Sequence, residues 1–502
     1  MTAIERRYPM GTMSSASDHR ATDSHHRPSN TYYAWVVVAI ALVVGNANFE
    51  FTLINGAFTD IAAEFRTKNV ALVFTVVFVA SLVFLPIAGK LADIYGKRNV
   101  LLIVSVLFSV GCILCAVAQT YWIFLAGRVF QSAFVIAYVA GYGLVRDILP
   151  ARMVPVGVGF VGLGTGVAVV VGPLLGGYLI DNFGFRSAFW FELGYAIMSG
   201  VLVLLVVPET AVRVRGRVDM PGGLLLGGGV AVMVFGVVTP TWLPVAIPGC
   251  VILLALFGFV ERRRREPLID MRLLGQPKLW LTLLTSAMAI CAVTVCPVLV
   301  SEYTRIPRVP GVLDRGMGWS ALEFGIYFGL IFGLVGAVNG LLAGWVCRRF
   351  APRTALLVSI LSTFVAVTIA LIPNADMALV IVIALFQGIG LGFLYTSANN
   401  LVIEAVPAEN QGVATSMLYT ALGVTNAVGT AVIGRITASH SVGAGNGSAA
   451  LIIAEDGFRY SFLFALGTTV IAFTLAMIMR HGRAPAVGGA MPKGDEARVH
   501  AT

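Results

Sequence analysis

Apolar runs of about twenty residues and more recur along nearly the whole chain, separated by short polar breaks. No other feature limits the fold as much. A helix of roughly 20 apolar residues crosses the hydrocarbon of a bilayer. Inside lipid a segment must satisfy its own backbone hydrogen bonds, which helices and closed barrels do. Barrel strands are short and alternating, whereas these runs are long and continuous. The chain is therefore expected to be an all-α polytopic membrane protein. Of its 502 residues, 58% are hydrophobic and 12% are charged. A soluble domain carries roughly 25% charged residues, so the runs do not read as the core of one large soluble domain. Fourteen spans are expected, at about 33–58, 70–88, 100–118, 121–145, 154–180, 187–207, 221–238, 243–260, 279–300, 321–346, 354–373, 377–402, 412–438 and 460–479.

The net charge of +9 does not point to nucleic acid. The basic residues sit in short clusters between spans, where the positive-inside rule accounts for them. Lys90, Lys97 and Arg98 follow span two, and Arg146 and Arg152 bracket the end of span four. Arg213, Arg215 and Arg217 follow span six, and Arg262, Arg263, Arg264 and Arg265 follow span eight. Arg348, Arg349 and Arg353 follow span ten, and Arg480 and Arg483 follow the last. With alternating spans all of these share one side, which predicts a cytoplasmic-membrane protein with both termini cytoplasmic. The exception is an outer loop read at 301–319, where Glu302 and Asp314 partly offset Arg305, Arg308 and Arg315. Residues 1–30 read as a cytoplasmic tail without a cleavable signal, and 483–502 as a second tail. The six cysteines lie in or beside spans and the six histidines in tails or a loop. That spacing suits neither a metal site nor a disulfide framework, and no cofactor is expected.

The spans divide into two six-helix bundles, 31–210 and 267–482, with two additional helices and a linker at 211–266. A weak internal repeat supports the division. GKLADIYGKRNV (89–100) and GLLAGWVCRRFAPRTALL (340–357) each place small residues and then a basic cluster at matching breaks. Two repeated halves are a transporter design, with the substrate near the midplane between them.

Four segments carry possible mechanism. In the first, Gly89, Leu91, Ala92, Asp93, Gly96, Lys97 and Arg98 form a small and charged loop. Gly89 and Gly96 would permit a tight turn, Asp93 could bond free amides at a helix N-terminus, and Asp147 is a candidate acid for Lys97 and Arg98. The alternative is a loop that only sets topology. In span five, Gly164, Ala168, Gly172 and Gly176 repeat every fourth residue, a stripe that lets a neighbouring helix approach closely. Pro173 can kink that helix, and Gly177 completes a Gly-Pro-x-x-Gly-Gly run. Span four holds Arg128 and Gln131. An arginine within an apolar span usually faces the protein interior or a water-filled cavity, although Arg128 could instead snorkel to the outer interface. Span one is the most polar of the long spans, with Asn46, Asn48, Glu50, Thr52 and Asn55. A carboxyl in low dielectric is suited to taking and releasing a proton, unless Glu50 sits at the outer mouth. Glu192 in span six is a second acid with the same ambiguity.

These segments resemble the major facilitator superfamily, and more narrowly its fourteen-helix drug:proton antiporters. The resemblance extends over about 31–480. It departs from the family pattern at Ser132 (usually Gly), Glu50 (usually Asp), Gly56 (usually Val) and Glu192 (usually Asn). It implies the major facilitator fold and proton-coupled efflux of a small organic substrate by alternating access, with protons and the lipid bilayer as the other partners and the chain acting as a monomer. It further implies proton coupling through Glu50, Arg128 and Glu192. The loop Gly89, Asp93, Gly96, Lys97, Arg98 with Asp147 would act as a conformational latch, and Gly172, Pro173, Gly176 and Gly177 as the antiporter motif. Asn46, Asn55, Gln131, Tyr138, Tyr142, Tyr395, Asn399 and Asn426 are candidate cavity residues. The glycines of FQGIGLGFLYTSANN (386–400) do not form a nucleotide loop, because no strand precedes them. The alternatives are an importer or a dedicated metabolite exporter on the same fold, or a receptor or scaffold that has lost transport. No enzymatic chemistry is expected.

Overall fold

The computed structural model describes residues 30–150, 153–209, 220–264, 271–309, 311–314, 316–372, 376–407, 411–443 and 451–485. Residues 1–29 and 486–502 of the expected tails, the cluster at 213–217 and residues Arg152, Arg265 and Arg315 lie outside the described residues. Each expected span is a helix. They are α1 (Asn30–Leu53), α2 (Leu72–Tyr95), α3 (Lys97–Val117), α4 (Tyr121–Ile148), α5 (Val154–Phe183), α6 (Arg186–Val206) and α7 (Met220–Val238). The others are α8 (Leu243–Arg262), α9 (Pro277–Arg305), α10 (Ala321–Arg349), α11 (Pro352–Ala370), α12 (Met377–Ala405), α13 (Gln411–Ser439) and α14 (Glu455–Ile478). Among the described residues, thirteen helices are long and apolar enough to cross a membrane, and α2 contributes a shorter apolar helix at Leu72–Phe84.

Local chemistry sets the helix ends. Pro277 and Pro352 occupy first-turn positions, where the missing N–H would have no intrahelical partner anyway. Asp376 accepts from Leu379 N, and Ser320 with Glu323 forms a capping box that opens α10. Gly96 separates α2 from α3 with φ 89° and ψ 132°, a backbone state close to glycine-only. Gly89, expected to share that turn, lies inside α2. The helix runs on through Tyr95, so the turn rests on Gly96. A short hairpin between α13 and α14 pairs Ser441 with Ile453 and Gly443 with Leu451.

The repeated halves are visible as repeated contacts. Arg98, at the start of α3, donates to Leu204 O near the end of α6 at 2.6 Å. Arg353, at the start of α11, donates to Ala476 O and Met477 O near the end of α14 at 2.9 and 3.1 Å. In both, a guanidinium caps orphan carbonyls at the negative end of a helix dipole. These arginines mark the basic end of the bundle.

The halves meet along two flanks. On one, α2 packs on α13: Thr75 and Thr430 share a 2.9 Å hydroxyl contact, and Ala71 faces Gly434. The additional helix α7 covers this flank, with Val230 and Val234 against Leu82, Ala427 and Ala431. Its partner α8 packs on α7 through Gly236 and Ala246 and is otherwise largely exposed, as suits a helix facing lipid. On the other flank, α5 lies between α1 and α10.

Candidate functional site

The small-residue stripe of α5 faces α1 as its spacing predicts. A Cβ at Gly172 would collide with Thr52, and one at Gly176 with the backbone of Leu53. Thr52 Oγ1 has two acceptors within reach, Asn48 O on its own helix at 2.8 Å and Ala168 O of α5 at 3.2 Å, the second close only because the helices touch. The other face of α5 meets α10. Gly325, Gly329 and Gly333 recur every fourth residue there and close on Pro173 and on the backbone at 169–170. A Cβ at Gly177 would sit 2.5 Å from Leu322 Cα. This second stripe was not anticipated, although its period of four was in the sequence. It includes a π-helical stretch, Gly325–Leu330, and such stretches recur at functional sites.

Contacts between the halves cluster at the end of the bundle opposite the basic one. Asp181, in the last turn of α5, accepts from the backbone N–H groups of Ala321 and Leu322 at 2.8 and 2.7 Å, two orphan donors at the start of α10. Ser301 of α9 donates to Asn55 O at 2.5 Å. Arg305 donates to Gly56 O and pairs with Asp60 at 2.7 Å. Asn55 thus belongs to this seam, where α1 tightens into a 3-10 turn at Ile54–Ala57.

Beneath the seam lies a buried chain of charged and polar groups. Arg128 is 0% exposed, Glu192 0% and Glu50 6%. Arg128 Nη2 meets Glu50 Oε1 at 2.5 Å. Its Nη1 donates to Gln131 Oε1 at 2.7 Å, and Gln131 Nε2 donates to Glu192 Oε2 at 2.9 Å. The chain therefore runs Glu50–Arg128–Gln131–Glu192 across α1, α4 and α6. Arg128 Nε also reaches Val73 O on α2 at 3.4 Å. Close packing of α3 on α4 at Gly111 and Gly127 brings Cys112 Sγ to 3.2 Å from Gln131 Nε2. Burial excludes the interfacial alternatives for Glu50, Arg128 and Glu192. Gln131, expected to line a cavity, is instead the central link of this chain and is buried. Glu192 Oε1 has no hydrogen-bond partner among the described residues.

Four tyrosines meet between the halves. Tyr138 of α4 lies within electrostatic reach of Tyr142, of Tyr395 on α12 and of Tyr419 on α13. Tyr395 is 39% exposed, and Asn399 donates to Tyr419 Oη at 3.2 Å. Tyr138, Tyr142, Tyr395 and Asn399 are thus together, and Tyr419 joins them unanticipated. Asn46 and Asn426 are buried, and both amide atoms of Asn46 and Oδ1 of Asn426 have no hydrogen-bond partner among the described residues.

At the basic end, Lys97 pairs with Asp147 at 2.6 Å, as expected. Arg98 takes the α6 carbonyl instead. A Cβ at Gly96 would meet the carboxylate end of the Glu209 side chain, which can shift, so it is the positive φ of 89° that reserves this position for glycine. The side chain of Asp93 lies outside the described residues. No cluster of metal-binding side chains occurs among the described residues. Glu302 corrects the sequence reading outright. It was assigned to a loop, yet it lies in α9, which continues to Arg305, and it is 4% exposed.

The Major Facilitator Superfamily pattern matches residues 40–430 and 306–498. The chain belongs to that superfamily: it is a multi-pass membrane transporter, and its family and fold are not those of enzymes. It is 26% identical over 407 residues to the multidrug resistance protein Stp of Mycobacterium tuberculosis, covering 77% of this chain and 72% of that one. It is 25% identical over 400 residues to a uridine/deoxyuridine transporter of Lactococcus lactis, covering 75% and 82%. Among solved structures, it matches an inward-facing bacterial homologue of the human lysosomal transporter Spinster. The TM-score is 0.63 at 16% identity, covering 91% of this chain and 98% of that one.

Proposed function

We propose that this transporter exports amphipathic organic compounds in exchange for protons, as in the fourteen-helix drug:proton antiporters, with the basic end in the cytoplasm. The observation that carries the reading is the composition of the buried chain: two carboxyls, one guanidinium and one amide. An unpaired charge is expensive in a dry interior. Arg128 neutralises one carboxylate, so the unit is neutral when its two acids together hold a single proton. That proton is exchangeable, and Gln131 links the two acids through the groups that would share it. The tyrosine cluster lies between the halves, within reach of a substrate that enters there. Aromatic faces with polar rims suit amphipathic and cationic guests. The seam at Asp181, Asn55 and Arg305 is the outer gate, the glycine stripes of α5 and α10 are the surfaces on which the halves rock, and Lys97–Asp147 is part of the inner latch. The similarity to Stp supports this direction of transport.

The test is dye movement in cells and in inverted vesicles, with and without a protonophore. Energy-dependent extrusion that the protonophore abolishes is the expected result. The uridine/deoxyuridine transporter among the relatives favours a second reading, proton-coupled import of a metabolite on the same fold. Energised accumulation in intact cells would select it.

A further inference from the structure

The tyrosine cluster combines hydrogen-bonding groups from both halves. Tyr138 and Tyr142 belong to α4, Tyr395 to α12 and Tyr419 to α13. Among the described residues, the polar side chains within electrostatic reach of Tyr138 are the other three tyrosines and Asn48 of α1. Tyr419 is also within reach of Tyr142 and of Tyr395. Asn399 donates to Tyr419 Oη at 3.2 Å, and Asn48 Nδ2 has no hydrogen-bond partner among the described residues. Tyr395 and Tyr419 are 39% and 37% exposed, although both lie well inside their helices. They face Tyr138 of the other half, so this exposure is to the space between the halves. The acids nearest along these helices face other groups. Glu50 is held by Arg128, Asp147 by Lys97, and Glu404 lies against Cys347 of α10. On α13 the chain carries no charged residue between Gln411 and Gly434.

We propose that this cluster selects neutral, planar aromatic compounds that carry several hydroxyl or carbonyl oxygens, and that it disfavours organic cations. The proposal rests on reading the space between the halves as the substrate site, and not on the direction of transport or on proton coupling. A phenol offers one donor and an acceptor oxygen, and an amide offers both kinds of group, so ligand hydroxyls and carbonyls each find partners here. The rings can pack on a flat aromatic ligand in offset or edge-to-face geometry. Ring faces attract cations as well. A cation enclosed in transit loses its water, and without a carboxylate among the described neighbours the rings alone must offset the cost of burying an unpaired charge. A neutral ligand loses only hydrogen bonds to water, which the phenols and amides replace. A site built to bond a ligand hydroxyl also rejects the analogue that lacks it, because the site's own polar groups are then left unpaired.

The test is equilibrium binding to the full chain in nanodiscs with no gradient, at about pH 6, with uptake by empty nanodiscs subtracted. Three probes are compared: a dihydroxyanthraquinone, its dimethoxy ether and the ethidium cation. The dihydroxy compound should bind roughly tenfold or more tightly than either of the others. The double variant Tyr395→Phe with Tyr419→Phe keeps both rings and removes two hydroxyls. It should weaken the dihydroxy compound by roughly tenfold and leave the ether within about twofold, so that the preference disappears and the retained ether binding reports an intact fold. Tyr395→Ala, which removes a ring face, should weaken both. Ethidium bound as tightly as the dihydroxy compound, and weakened by Tyr395→Ala, would overturn the substrate class while keeping the cavity as the site. Binding that none of these variants changes would remove the cluster from the site altogether. A preference that survives the double variant, or no binding of any probe, would overturn the proposal as well.

Discussion

Replacing Glu50 with Gln changes one charge and almost no volume, and the buried chain fixes what should follow. In the native unit one guanidinium serves two carboxyls, so neutrality requires one proton. In Glu50→Gln the remaining acid, Glu192, balances Arg128 through Gln131, and the exchangeable proton is gone. One proton moved through 100 mV yields about 2.3 kcal/mol. At about 1.4 kcal/mol per factor of ten, one proton per neutral substrate sustains a gradient of roughly fifty-fold. The variant should therefore fall from a gradient of that order to no gradient, while exchange between two pools of substrate persists. Glu192→Gln should do the same, because Arg128 then balances Glu50 alone. The assay is reconstitution in vesicles under an imposed proton gradient, with steady-state accumulation and counterflow measured on one preparation. If Glu50→Gln sustains the native gradient, the charge argument is wrong at its first step.

Gly96→Ala should destabilise the protein by about 1–3 kcal/mol, because φ is positive; thermal unfolding in detergent measures it. Gly176→Leu should abolish transport while leaving insertion intact, since its side chain must displace the backbone of Leu53; loss of export without loss of membrane-localised protein is the signature. Burial and then Lys278 push the His481 pKa below its ordinary 6.5, and the ring lies 2.7 Å from Thr282 Oγ1. A depressed histidine pKa makes the docking of this segment firm above about pH 6.5 and weaker as pH falls through and below that value. Hydrogen-exchange protection factors at residues 479–483, taken relative to the intrinsic exchange rate at each pH, should fall on acidification, and His481→Gln should remove that fall. Tags at residues 1 and 502 should be detected only from the cytoplasm; a tag detected on intact cells would refute the proposed orientation.

The helices were legible because length and hydropathy decide a transmembrane span almost alone, and all fourteen runs are helical. The α5 stripe was legible for a similar reason, since four-residue spacing fixes a helix face regardless of partner. What could not be read were the partners. Glu50 and Arg128 are 78 positions apart and Gln131 and Glu192 61, and nothing local states that α1, α4 and α6 converge. Each residue could be suspected separately, but Gln131 as the link between the acids is a tertiary fact. Glu302 was misread because SEYTRIPR looks like the polar start of a loop. The helix persists through it because Tyr303 packs on Phe458 and Phe462, a contact with α14 across more than 150 residues of chain. Gly89 was misplaced because a glycine in a small-residue run has no local mark to separate a turn from a helix.

On the proposed function, α1 is the helix that must convert a proton into a movement. Glu50 binds Arg128. Two residues on, Thr52 fills the space left by Gly172 and faces Ala168 O of α5, and the backbone of Leu53 fills the space left by Gly176. Asn55 then accepts from Ser301 of the other half, and the intervening backbone has left α-helical geometry for a 3-10 turn. Six residues thus hold the charge, the sliding surface and the gate in register. Changing the partner of Glu50 needs only a small rotation of this segment to disturb all three, because a glycine-on-backbone contact tolerates a shift along the helix and not a separation. The geometry also explains why the polar residues of this span are crowded into one stretch, 46–55, when isolated polar groups in lipid are costly. The seam and the arginine engage part of this stretch in the closed arrangement, and the amide atoms without hydrogen-bond partners among the described residues, those of Asn46, Asn48 Nδ2 and Asn55 Oδ1, are the ones available to bond water or substrate when the halves part.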